Sequence, residues 1–69
     1  MDHPIEMTEQ QWEVLEKTCQ GMNYIEIAEM MFKSPPTIQK VQEELMQKFG
    51  VTTIPDLIKE AIKRGIVQV

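Results

Sequence analysis

The sequence predicts an all-α fold of four helices. Three observations predict it. Capping signals, a Thr or Asn followed three residues later by Gln, Glu or Asp, recur at Thr8–Gln11, Asn23–Glu26 and Thr53–Asp56. After each signal the apolar residues fall three or four apart, the period of a helix with one buried face. No strand-like alternation is longer than Gly65-Ile66-Val67-Gln68-Val69.

Residues 1–6 show no periodicity and read as a flexible lead-in; residues 7–69 form the domain. The first helix is capped at Thr8, with Met7 and Trp12 at the spacing of a hydrophobic staple. Trp12, Leu15 and Cys19, with Val14 alongside, make its apolar stripe, and Gly21 stops it. The second helix, about 23–32, is capped at Asn23. Its expected stripe is Ile27, Met30 and Met31, with Ala28 small enough for a close neighbour. The third helix, about 35–49, follows the cap Ser34. Pro35 and Pro36 are tolerated in its first turn, although Pro36 disfavours the α region at Pro35 and argues for a start one residue later. Ile38, Val41, Leu45 and Phe49 form its stripe and Gly50 ends it. The fourth helix, about 53–64, carries Leu57, Ile58, Ala61 and Ile62. Lys63 and Arg64 suit the negative end of its dipole. Gly65 stops it, and Ile66 and Val67 are expected to fold back on the core.

Sixty-nine residues allow one small core. Such a domain is stable by about 3–5 kcal/mol. Large enzyme folds do not fit, and no acid/base pair, nucleophile–base pair or Gly-rich phosphate loop is visible, so no catalysis and no cofactor is expected. One cysteine, Cys19, makes neither an intrachain disulfide nor a cysteine zinc cage, and His3 near the terminus reads as a surface residue. Cys19 is expected to be a buried inert thiol, Met30 and Met31 core residues, and Trp12 a core anchor or a cover near the termini. No apolar run approaches a membrane span and no secretory leader opens the chain. A cytoplasmic setting without membrane is expected. The net charge of −4 argues mildly against a nucleic-acid partner, but its distribution is uneven. Residues 1–32 hold seven acids against one base, and residues 33–69 hold six bases against four acids. One face could meet a polyanion while the other turns away.

A short second helix, a tight turn and a longer third helix with a polar outer face describe a helix-turn-helix. Met7-Thr8 with Glu13-Val14-Leu15, Glu26-Ile27-Ala28, Ser34 with Thr37-Ile38, Lys48-Phe49-Gly50-Val51, and Leu57-Ile58 with Ala61 and Gly65-Ile66 stand in order and without a gap. On these residues the stretch from Met7 to Val67 resembles the LuxR/GerE-type helix-turn-helix DNA-binding domain. The resemblance implies a transcriptional regulator that binds double-stranded DNA with its third helix in the major groove. It also implies a homodimer through the fourth helix, at Leu57, Ile58 and Ala61. By family position Gln39, Lys40 and Glu43 face base edges and Thr37 and Lys48 meet phosphates, with Lys33 and Ser34 completing the set at the turn. Gln suits adenine, Lys guanine, and a carboxylate the cytosine amino group. The family often forms the output end of larger regulators, so a sensing or receiver domain, or RNA polymerase, are the further partners implied.

The chain departs from the family pattern at several positions. Glu43 and Glu44 place two carboxylates on the recognition helix. Val41 stands where histidine is usual, Ile54 where a base is common, and Lys33 where an apolar residue is usual. Pro35 and Pro36 remove backbone donors from a helix start that would otherwise attract anions. These departures support an alternative, a degenerate helix-turn-helix used for protein–protein contact. A sigma-factor-like promoter-contacting domain shares the tri-helical core, but the Lys48–Val51 junction and last helix fit it less well.

Overall fold

The computed structural model describes residues 5–67. The described chain forms four helices and no strand: α1 (Glu9–Cys19), α2 (Tyr24–Met31), α3 (Pro35–Phe49) and α4 (Ile54–Lys63). His3, most of the lead-in, and Gln68 and Val69 lie outside the described residues.

Local chemistry sets the helix starts. Thr8 Oγ1 accepts the Gln11 N–H at 3.1 Å and Gln11 Oε1 accepts the Thr8 N–H at 3.0 Å, a reciprocal box. Asn23 and Glu26 repeat it, at 2.9 and 3.0 Å. Thr53 Oγ1 accepts the Asp56 N–H at 3.2 Å without the return bond. α3 starts at Pro35, not one residue later as the proline pair suggested. Both rings lie in the first turn, where a missing N–H leaves no helix carbonyl unpaired.

The helix ends share one closure. The N–H two or three residues past each helix bonds a carbonyl five residues back: Met22 to Lys17, Lys33 to Ala28, Val51 to Met46 and Ile66 to Ala61. This requires a left-handed residue at the corner. Gly21, Gly50 and Gly65 supply it after α1, α3 and α4. After α2 the corner is Phe32, at φ 58°, a conformation unusual for a bulky residue.

α3 packs against each of the other three helices and is the centre of the core. Ile38, Val41, Leu45 and Phe49 are buried, as their spacing predicts. They meet Val14 and Leu15 of α1, Ile27 and Ala28 of α2, and Leu57 and Ala61 of α4, with Val67 folded back beneath. A side chain such as Leu45, fully removed from water, contributes roughly 1.5–3 kcal/mol. Arg64 lies 5.5 Å from the centre of the Phe49 ring and covers this end of α3.

Several expected stripe residues are not core. Trp12 is 37% exposed and Met30 59%. The buried line of α1 runs instead through Gln11, Val14, Leu15 and Thr18, because α1 turns the arc between Val14 and Thr18 toward α3. α2 buries only Ile27 and Ala28 fully; eight residues give it little more than two turns, so Met30 faces away. Cys19 is half-buried rather than buried, and burial pushes its thiol up from the usual range, which lowers its reactivity at neutral pH. The lead-in is tied down at its end: Ile5 packs on the core and the Glu6 carbonyl accepts a hydrogen bond from Lys48 Nζ.

Candidate nucleic-acid interface

α3 has two faces with different duties. Its buried stripe fixes the opposite side to solvent. Gln39, Lys40, Glu43 and Gln47 are all exposed there, with Pro36 at the head of the row. No other part of the described chain covers this face. Lys33, Ser34 and Thr37 are exposed at its N-terminal end and Lys48 at its C-terminal end.

Gln42 does not belong to the outer row. It is buried, and its Nε2 donates to Thr18 Oγ1 at 3.1 Å. Thr18 in turn donates to the Val14 carbonyl at 2.7 Å. The pair satisfies two polar side chains inside the α1–α3 contact, where an unpaired group would cost about 1–3 kcal/mol. α3 is flanked on three sides, so its buried arc is wider than the four-residue stripe and includes Gln42.

The two carboxylates of α3 separate. Glu44 is half-buried toward α1, where its Oε1 accepts from Gln11 Nε2 at 3.3 Å. Only Glu43 remains on the outer face. The ion pairs among the described residues are Lys17–Glu13 at 3.1 Å and Arg64–Glu60 at 2.9 Å, both within one helix. Among the described residues Lys33, Lys40 and Lys48 therefore have no carboxylate partner; Lys48 gives one hydrogen bond to the Glu6 carbonyl and remains exposed. An ammonium has three donors, so two stay open.

The start of α3 is unusual for an anion site. Pro35 and Pro36 carry no N–H, and the next two N–H groups, of Thr37 and Ile38, bond the Ser34 carbonyl at 3.0 and 3.3 Å. Ser34 makes no side-chain cap; its Oγ and Thr37 Oγ1 lie 2.8 Å apart, bonded to each other. A phosphate here would be met by side chains, the two hydroxyls and Lys33, and not by the backbone.

A polar, uncovered third helix set across a short second helix is the arrangement of a helix-turn-helix reader. A family model described as bacterial regulatory proteins, luxR family, matches residues 6–61. The chain belongs to this family. No curated protein and no solved structure matches it. As a LuxR-family helix-turn-helix domain it is of a DNA-binding, regulatory type. Among the described residues no group of His, Cys, Asp and Glu side chains is placed to hold a metal, and no helix is long and apolar enough to cross a membrane.

The expected dimer residues lie at different depths in this LuxR-family chain. Leu57 and Ala61 are fully buried in the monomer core. Of the expected set only Ile58, half-buried, reaches the surface. Ile62, 41% exposed and four residues on, is the apolar neighbour the sequence reading left out of the set. The two buried positions of α4 lie one helical turn apart, and periodicity does not say which apolar edge stays outside.

Proposed function

We propose that the domain is a sequence-specific DNA-binding transcriptional regulator that lays α3 in the major groove. Gln39, Lys40 and Glu43 read base edges, Thr37, Ser34, Lys33 and Lys48 hold phosphates, and two copies meet through Ile58 and Ile62 of α4. The observation that carries the reading is the uncovered outer face of α3, flanked by free lysines, from which Glu44 is withdrawn. In the cytoplasm, where such DNA lies, a sensing or receiver domain and RNA polymerase are the partners this reading calls for.

Fluorescence anisotropy with mixed-sequence duplex DNA, between 50 and 200 mM salt, tests it. Two phosphate-bound lysines per protomer, Lys33 and Lys48, give a dimer four phosphate contacts and a log–log salt slope of about −4. Lys40→Ala is expected to weaken binding about tenfold on a preferred sequence, the lower part of the range for a base contact. Salt-independent or absent binding by folded protein at 50 mM salt overturns the proposal. Sedimentation reads the dimer arm: Ile62→Asp should shift the domain to monomer, and a wild-type monomer at every concentration refutes that arm.

A further inference from the structure

An open groove of about 530 Å³ lies between α1 and the turn that joins α2 to α3. α1 contributes Glu9 and Glu13; the other side contributes Met30, Met31, Phe32 and Lys33. Phe32 is 93% exposed, and it stands in the left-handed conformation that glycine fills after the other three helices. The monomer gains almost no burial from this ring and bears its backbone strain. Strain and an exposed aromatic at one residue point to a role outside the fold. Met30, also exposed, adds a flexible apolar surface of the kind that adapts to helices laid in grooves.

The charge around the groove selects the occupant. Glu9 has no ion-pair partner among the described residues, and Glu13 is paired only with Lys17 of its own helix. Residues 1–32 carry seven acids and one base. Within the groove itself the α1 wall, with Glu9 and Glu13, attracts cations, and Lys33 on the opposite wall is the one cation of the lining. We propose that the groove docks a basic amphipathic helix of another protein. An apolar side chain of that helix seats against Phe32 and Met30, and its Lys or Arg neighbours pair with Glu9 and Glu13. The site shares only Lys33 with the face assigned to DNA, so it stands or falls separately from that reading.

The test uses a synthetic 16-residue helical peptide with Leu and Arg on adjacent stripes, and a twin in which every Arg is Glu. Each is titrated into the isotope-labelled domain and followed by amide NMR shifts. The Arg peptide is expected to move the signals of Glu9, Glu13 and residues 30–33, and the Glu twin to move none. Phe32→Gly should weaken the Arg peptide at least tenfold without lowering the melting temperature, since glycine relieves the corner. Glu9→Gln should weaken it several-fold. The proposal is overturned if the Arg peptide moves no signal at millimolar concentration or maps to the outer face of α3. It is also overturned if Phe32→Gly binds as well as the parent. Groove and α4 signals that move together with protein concentration alone would assign the groove to a second copy and likewise overturn it.

Discussion

α3 is joined to its neighbours through two turns of the same backbone geometry and opposite composition. At its C-terminal end the corner is Gly50, Phe49 is buried beneath Arg64, and Thr53 caps the next helix. At its N-terminal end the corner is Phe32, the ring is in water, and the Ser34 hydroxyl bonds Thr37 instead of capping. The first turn is built for stability. The second leaves stabilising chemistry unused, and it adjoins both surfaces assigned to partners. Local compromise of this kind is expected where a fold meets function.

Substitutions at matched positions test this contrast. The largest effect is expected for Phe49→Ala, which removes a buried ring and its cation contact. It should cost about 3–4 kcal/mol, enough to unfold much of a domain of this size, read by circular dichroism in urea. At the corners the signs should differ. Gly50→Ala meets no atom within 4 Å of its new Cβ, so its cost is conformational, about 1 kcal/mol. Phe32→Gly should raise stability, by about 0.5–1 kcal/mol. Equal and opposite thermal shifts would support the difference between the two corners, and a destabilised Phe32→Gly would refute it. The caps give the smallest differences. Thr53→Ala should lose about 1 kcal/mol, whereas Ser34→Ala should lose only a few tenths, because no helix N–H depends on it. A Ser34→Ala variant as unstable as Thr53→Ala in urea melts would show a cap that the structure does not contain.

The parts of the fold legible in the sequence are those decided within one turn of chain. The reciprocal boxes at Thr8–Gln11 and Asn23–Glu26 needed only neighbours three residues away. So did the α3 stripe from Ile38 to Phe49, which a single period describes. What was not legible depended on which helix stands beside which. Gln42 is buried because α3 has neighbours on three sides and Thr18 supplies a partner. Trp12 and Met30 are exposed because their helices turn other residues inward. Leu57 and Ala61 were read as a partner surface, yet the monomer core takes both. The outer row of Gln39, Lys40 and Glu43 could be located from the stripe alone. The retreat of Glu44 could not, since it rests on Gln11, 33 positions away in sequence. The groove at Phe32 left one sequence signal, a turn between two helices with no glycine in it.

The shared closure of the helix ends bears on kinetics. Each reversal is fastened by a hydrogen bond that spans five residues, so little chain must be searched before neighbouring helices meet. Folds dominated by such nearby pairings assemble on the order of microseconds to milliseconds. A domain of this topology that loses its shape regains it on that same timescale.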